Sequence, residues 1–473
     1  MRSFSTDWMP GKPHNLLQLS VSMFRCFALL WVMFCSSVVA SEPAELRLAT
    51  FSADITIPLG HRCMGVLPTK ALRIEDPLEA RGLVLLGSGP PVVLVALDWC
   101  EVRNGAYDQW RDQIAQAANT VRNRVLVCSL HQHDAPVTDS GAQALLDRVG
   151  MQGELYDVAF HADCIARVAE AIRKAIPLAQ PLTHVAASQA KVDQIASNRR
   201  VEYPDGRVGY DRGSRMSPDS PAALADAGEI DPFLKTIHFY NQDRELAVIS
   251  SYATHPMSYY GQGGVTADFV GMARRRRQLD TEGSMQIYTT GCSGDVTAGK
   301  YNDGAAATRA VLADRLYQAM VQSAAVAQRQ PISEYRFRCE TLQLPFHEGD
   351  EFTREAMTAV LEDEQASEKN RILAAMGLSS LDRLERQPID LPCLDLGIAQ
   401  IVLLPGESFV GYQLMAQRLH PDSFVMAIGF GESWTGYIPT KRAFDEGFGH
   451  SWRWVGRGCE AIIRQQLTRV LAE

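Results

Sequence analysis

The chain has 473 residues, 46% of them hydrophobic and 21% charged, with a net charge of −9. That composition excludes a disordered or fibrous protein, and the length, which alone suggests two or three domains, allows a large buried core. Basic residues are scattered among acidic ones, so nothing resembles a basic groove interleaved with aromatics and no nucleic-acid partner is expected.

The N-terminus comes first in chain order. Arg25 precedes an apolar run from Phe27 to Phe34, and small residues follow to Val38-Val39-Ala40-Ser41. Positive, apolar, small is the order of a secretory signal peptide, with cleavage expected after Ala40 and a secreted or periplasmic location. The segment before the apolar run is long and polar, which makes Met23 an alternative start. The run is short for a span of about 20 residues. An uncleaved anchor and lipidation at Cys35 are the other readings. No later segment could cross a bilayer. Eight cysteines follow Ala40: Cys63, Cys100, Cys128, Cys164, Cys292, Cys339, Cys393 and Cys459. Export permits disulfides, but there is no CxxC, and Cys128, Cys292 and Cys393 sit in or beside strand-like runs. Buried thiols and bridges stand equally.

Short apolar strands then alternate with longer amphipathic stretches, the α/β pattern. Val92 to Asp98 reads as a buried strand, Gly105 to Asn119 as a helix, Arg124 to Leu130 as a strand and Glu154 to Ala175 as a long helix. Residues 190–230 are polar and rich in Gly, Pro, Asp and Arg, and read as a long functional loop. Lys235 to Tyr240 and Leu246 to Ala253 read as strands around a turn at Asn241-Gln242-Asp243. The run Arg274 to Arg277 lies in a predicted helix and reads as a solvated face. Met285 to Thr289 reads as a strand and Ala305 to Gln328 as a helix. Glu351 to Gln387 reads as helical, Leu394 to Leu404 and Phe424 to Phe430 as strands, and Cys459 to Ala472 as a helix.

The chemistry-bearing residues cluster after these strands, where α/β folds collect ligand sites. A strand ends in His131-Gln132-His133-Asp134-Ala135-Pro136. The His-x-His spacing lets one imidazole bind a metal while the other faces a substrate, or the two form a hydrogen-bonded structural pair. A second strand ends in His255-Pro256, followed by a glycine-rich loop and Asp268, which either caps the next helix or serves as a carboxylate at the site. A third ends in Pro405-Gly406-Glu407, where the glutamate is either a surface cap or a ligand. After a fourth, Tyr437 stands between a glycine-rich loop and Pro439, as a packed aromatic or a ligand. Gly291-Cys292-Ser293-Gly294-Asp295 follows a strand but is not the G-x-S-x-G elbow, since Asp295 and Val296 occupy the wrong places. A backbone loop shaping the site is the reading there, with roles for Ser293 and Asp295 left open. Two histidines and one carboxylate form a known catalytic zinc set with room for water.

In order and spacing these segments resemble the catalytic domain of the neutral/alkaline, non-lysosomal ceramidase family. The resemblance is carried by Phe51-Ser-Ala-Asp54-Ile-Thr-Ile-Pro58, Asp76-Pro77 with Val95-Ala-Leu-Asp98, His131-Gln-His133-Asp-Ala-Pro136, Asn198-Arg199, Ala253-Thr-His255-Pro256, Gly294-Asp295-Val296, Pro405-Gly406-Glu407 and Gly436-Tyr437. It runs from about residue 47 to about residue 450. It implies zinc held by His131, His255, Glu407 and Tyr437, with His133 and Arg199 facing the substrate amide or its developing oxyanion. It also implies an α/β fold with two central sheets flanked by helices in four layers, formed by residues 41–473 after a leader at 1–40. Gln132 and Asp134 depart from the family's His-Thr-His-Ser-x-Pro, and Cys292-Ser293 replaces its Asn before Gly-Asp. The C-terminal immunoglobulin-like domain is absent, and Phe448 and Gly449 stand where a second substrate-contacting tyrosine is expected. The expectation is a zinc-dependent amide hydrolase with a small-molecule or lipid-like substrate, ceramide-like N-acyl compounds included, and room for peripheral contact with a membrane. The rivals are a zinc hydrolase of non-lipid amides or esters and a non-catalytic exported binding protein on the same scaffold.

Overall fold

The computed structural model describes residues 45–472 apart from Ser88, so the leader read from residues 1–40 lies outside the described residues. Its main strands form three sheets, and each sheet ends at one edge in a parallel pair. The first sheet contains β1 (Arg47–Asp54), β2 (Glu79–Leu86), β3 (Val92–Leu97) and β4 (Val125–Ser129), with Gln180–Pro181 at its far edge. The second contains β5 (His184–Lys191), β6 (Phe233–Asn241), β7 (Arg244–Tyr252) and β8 (Met285–Thr290), with Gln330–Pro331 beside β5. The third contains β9 (Arg336–Leu342), β10 (Ile389–Asp395), β11 (Ala399–Leu403) and β12 (Phe424–Ile428).

The parallel pairs are β3–β4, β7–β8 and β11–β12. Parallel neighbours cannot be joined by a tight turn, so each pair is linked by a helical crossover. These are α1 (Asn104–Ala118), α4 (Asp268–Asp280) and α8 (Val410–Leu419). The others are α2 (Ser140–Arg148), α3 (Val158–Ala175), α5 (Ala306–Val326), α6 (Arg354–Glu362), α7 (Glu368–Arg386) and α9 (Cys459–Val470), with short helical turns at Pro221–Leu224 and Lys441–Asp445.

Side-chain alternation explains the layers. On the first sheet Val84, Val93, Val95, Val125 and Val127 pack with Trp110 and Ile114 of α1 and Cys164, Val168 and Ile172 of α3. The intervening Leu83, Leu85, Leu94, Leu126 and Cys128 face the other way, into a core shared with Ile237, Phe239, Ile249 and Ile287 of the second sheet. Helix α5 packs on β5 and β6, and α4 on β8. The four-layer α/β/β/α order is therefore present. The third sheet extends it. Its Leu394, Ile401, Leu403, Met426 and Ile428 join the shared core, while Cys393, Val402, Val425 and Ala427 pack with Tyr412, Met415, Ile463 and Leu467.

Several boundaries differ from the sequence reading. The helix expected from Glu154 begins at Val158, because the Asp157 side chain accepts hydrogen bonds from Ala159 N and Phe160 N and caps it there. The stretch 351–387 is two helices, α6 and α7, whose starts are capped by Thr353 and Ser367. The strand expected over 394–404 is a hairpin, since Gly397 at φ 80° turns the chain between β10 and β11. The run Arg274 to Arg277 is not a uniformly solvated face: Arg274 is buried and paired with Asp98 at 2.6 Å, and Arg275 and Arg276 pair with Asp76 and Asp314. All eight cysteines after Ala40 are free thiols, and all but Cys339 are buried. Among the described residues no helix is long and apolar enough to cross a membrane.

Candidate metal centre

Apart from Asn198-Arg199, which follows the antiparallel β5, the segments that carry the candidate site residues leave the C-terminal ends of strands in the parallel pairs. The strand β4 leads to His131, β7 to His255, β8 to Cys292–Asp295, β11 to Glu407 and β12 to Tyr437. The three sheets therefore deliver them to one place.

The turn that carries His131 and His133 is closed on itself. Leu130 N donates to Leu97 O at 2.9 Å, His131 N to Trp99 O at 2.9 Å, and Cys100 N to Pro136 O at 3.1 Å. These bonds hold His131 in the left-handed region at φ 64°, a conformation that costs a branched-free L residue about 1–3 kcal/mol and persists only where its surroundings impose it. Gln132, a departure from the resemblance, is part of the same clamp: its amide donates to Asp98 O at 3.1 Å and its side-chain oxygen accepts from Asp134 N at 2.7 Å. Asp134 in turn accepts from Gly261 N at 2.9 Å, fixing the glycine-rich loop over the turn, and burial pushes its carboxyl up to about 7.

Glu407 and Tyr437 are register partners in a short parallel pairing. Gly436, at φ 57°, lets the Trp452 backbone close against this pairing, because a Cβ there would run into the carbonyl oxygen of Trp452.

These elements bring His131, His255 and Glu407 together, all buried, with their ligand atoms within 4.8 Å of one another. Glu407 Oε2 lies 3.0 Å from His255 Nε2 and 3.4 Å from His131 Nε2. The opposite ring nitrogens are already engaged. His255 Nδ1 bonds to Ser293 O at 2.6 Å and Val296 O at 3.0 Å, and His131 Nδ1 to Cys100 O at 3.2 Å. A carbonyl oxygen only accepts, so each Nδ1 carries a proton and each Nε2 faces the shared space, where its lone pair would meet an ion. That is the orientation metal-ligating histidines adopt. A second grouping, Cys100, His131 and His133, is also close. It would use the ring nitrogen of His131 that the Cys100 carbonyl occupies, and burial drives the Cys100 thiol up to about 11, so the Glu407 grouping fits an ion better.

The electrostatics agree with a site built for a cation. Burial disfavours the Glu407 carboxylate, yet His131 and His255 hold it well below the usual range. Burial pushes His255 down to about 4 despite Glu407. Burial, reinforced by Glu407, pushes the Tyr437 hydroxyl well up, against the pull of Arg199. A neighbouring dication would keep Glu407 ionised and His255 neutral, and it would reverse the upward push on Tyr437.

His133 and Arg199 flank the group. The His133 ring lies 5.3 Å from that of His131, and burial with the two neighbouring histidines holds it well below its ordinary value, hence neutral. Its Nδ1 is buried without a partner. Arg199 Nη2 donates to the Tyr437 hydroxyl at 3.5 Å. Asp295 is not at the reacting centre. It accepts from Asn198 Nδ2 at 2.9 Å and from Val410 N at 2.7 Å, and its backbone oxygen accepts from Arg199 N at 2.6 Å, so it ties the Arg199 loop to the start of α8. Ser293 supplies the carbonyl that holds His255, and its hydroxyl has no partner. Asp268 does not cap α4 from the preceding position. As the helix's first residue it accepts from Phe269 N and Ser258 N and meets Arg309 at 3.5 Å.

Three neighbours went unread in the sequence. Tyr260 packs edge-on against His133 with centroids 4.7 Å apart. His450, its Nδ1 accepting from Trp452 N, lies 4.6 Å from the Tyr437 ring. Glu101 sits behind His131, with Oε1 3.7 Å from Nδ1. Only the position of Glu101 shortly after Val92–Leu97 hinted at it.

No protein-family profile matches the chain, and no curated protein does. Solved structures do. The chain is similar to the neutral ceramidase from Pseudomonas aeruginosa, with a TM-score of 0.67 and 16% identity, over 90% of this chain and 74% of that one. It is likewise similar to a ceramidase complexed with C2, with a TM-score of 0.66 and 15% identity over the same shares. The fold is thus ceramidase-like.

Proposed function

We propose that this chain is a zinc-dependent hydrolase that cleaves the amide bond of an N-acyl substrate, with ceramide-like lipids as its substrate class. The observation that carries the reading is the pair of histidines whose Nδ1 atoms are held by backbone carbonyls while both Nε2 atoms face one Glu407 oxygen. His131, His255 and Glu407 would hold the ion, with the Tyr437 hydroxyl beside Glu407 as the fourth group. Zinc in such a set supplies Lewis acidity and a water that ionises near neutral pH.

The chain's own residues supply the rest. Arg199 and Tyr437 donate toward the oxygen on which charge develops, and one such donor contributes about 3 kcal/mol. His133, kept neutral by burial, can accept a proton from the attacking water and then pass it to the leaving amine. Burial of His131, His133, His255, Glu407 and Tyr437 limits bulk water and strengthens each of these interactions. The lipid class is supported by the likeness to solved ceramidase structures. An exported location, from the leader, belongs to the same reading.

Metal analysis of the wild type and of His131→Ala and Glu407→Ala, run with a panel of N-acyl amides of increasing chain length and polar amides and esters, tests the proposal. We expect zinc in the wild type, its loss in both variants, and turnover that rises with acyl length. A wild type without zinc affinity favours a binding protein. Preference for polar amides or esters transfers the same centre to a non-lipid substrate. A His131→Ala protein that keeps zinc and full activity overturns the ligand assignment.

A further inference from the structure

The His131 and Tyr437 arms of the centre reach it from different sheets, and one buried carboxylate touches the supports of both. Glu101 is fully buried. Its Oε1 accepts from Trp452 Nε1 at 2.9 Å and lies 3.7 Å from His131 Nδ1. Its Oε2 accepts from Arg103 Nη1 at 2.9 Å. The Trp452 carbonyl accepts from Tyr437 N at 3.0 Å, so the indole that Glu101 grips belongs to the residue that fixes the Tyr437 backbone. Arg103 forms a second route. It donates to Ser433 O at 2.9 Å and Trp434 O at 3.1 Å, in the loop that leads to Tyr437, and stacks on Trp454 at 4.3 Å.

A buried ion pair contributes little net stability over an apolar replacement of the same volume. The placement of Glu101 therefore asks for another reason. The Cys100 carbonyl holds the His131 Nδ1 proton, and a carboxylate 3.7 Å behind that ring acts through its charge, which strengthens the opposite nitrogen as a metal donor. Here the same carboxylate also holds the Tyr437 arm.

Resting on the zinc reading above, we propose that Glu101 is a positioning residue that sets His131 and Tyr437 in mutual register for the metal. The test is the zinc affinity of wild type and Glu101→Gln, measured by competition with a chromophoric chelator, together with the visible spectrum of the cobalt(II)-substituted proteins. Glutamine keeps the volume and an acceptor for Trp452 but removes the charge beside His131. The expected result is zinc binding weakened 10–100-fold, with an altered cobalt spectrum and an unchanged far-ultraviolet circular dichroism spectrum. Trp452→Phe, which leaves the Glu101–Arg103 pair intact, is expected to weaken binding by a smaller factor, and the double variant less than the product of the two. Glu101→Gln with wild-type affinity and spectrum overturns the proposal, even if its apo form melts earlier, since that is a purely structural role. If Glu101→Gln does not fold, Trp452→Phe decides: wild-type zinc affinity there overturns the coupling. A wild-type chain that binds no zinc overturns the functional reading and this inference with it. Normal wild-type binding with an insensitive Glu101→Gln overturns this inference alone.

Discussion

Replacing Arg274 with alanine should destabilise the protein far more than replacing Arg276, two residues along the same helix. Arg274 is 1% exposed and Asp98 fully buried, and the two are joined by a bidentate pair at 2.6 and 2.7 Å. Among the described residues the one other donor to the Asp98 carboxylate is Glu79 N at 2.9 Å. Arg274→Ala therefore leaves a charged oxygen in the core with one neutral partner, and breaking a buried pair in this way costs about 3–5 kcal/mol. Arg276 pairs with Asp314 at a similar 2.6 Å, but the two side chains are 50% and 55% exposed. Exposed pairs contribute about 0–1 kcal/mol. Distance alone would rank the two pairs equal, so burial decides between them. Guanidinium unfolding at pH 7, with free energies from midpoint and slope, measures both. The double variant Asp98→Leu/Arg274→Met removes both charges and should cost less than Arg274→Ala alone. Because the Asp98 carbonyl also holds Gln132, Arg274→Ala should weaken metal binding at the adjoining turn. An Arg274→Ala protein within about 1 kcal/mol of wild type, or no less stable than Arg276→Ala, refutes the reasoning.

Two further outcomes follow from groups away from the centre. His161 lies among Trp99, Trp110 and Tyr156, its Nε2 has no partner, and burial pushes it down to about 3. Between that value and about 6.5 the unfolded chain binds the proton and the folded one does not, so stability falls as pH drops through this window. His161→Phe should flatten that slope in unfolding curves recorded from pH 7 to pH 4; an unchanged slope would count against a neutral buried imidazole. Glu446 accepts from Arg200 Nε and Nη2 at 2.8 and 2.9 Å and from the Tyr210 hydroxyl at 3.0 Å, clamping the Arg199 loop to the segment that carries His450. Glu446→Gln should speed amide hydrogen exchange over residues 200–212 while shifting global stability by less than about 1 kcal/mol, and exchange as slow as wild type would refute the clamp.

What could be read in advance follows from the parallel pairs. Val92 to Asp98 and Arg124 to Leu130 are largely apolar runs because both faces are covered, Leu246 to Ala253 and Met285 to Thr289 are buried with polar residues among the apolar ones, and such runs mark their own ends. His131, His255 and Glu407 stand just past strand ends, so the sequence places them together. Tyr437 follows β12 by a longer loop, and only its resemblance to the Gly-Tyr segment pointed to it. The antiparallel members were harder. The strand Glu79–Leu86 carries Glu79 and Arg81 in polar networks, and Arg336–Leu342 alternates weakly along a partly exposed face. The hairpin at Gly397 was hidden because two apolar strands flank a turn too short to interrupt the pattern. The burial of Arg274 and the position of Glu101 depend on partners far along the chain, Asp98 across the first sheet and Trp452 near the C-terminus, and no local window contains that information.

The convergence of three crossover units on one point has a consequence for how the centre comes into being. His131 hangs from one hydrogen-bonded ladder, His255 from a second and Glu407 from a third, and no two of these ladders share a strand. No fragment holding a single sheet can assemble the constellation, which requires the layers to have docked. An ion held there, as proposed, would report completed assembly and act as a keystone, resisting the sliding of any layer past its neighbours.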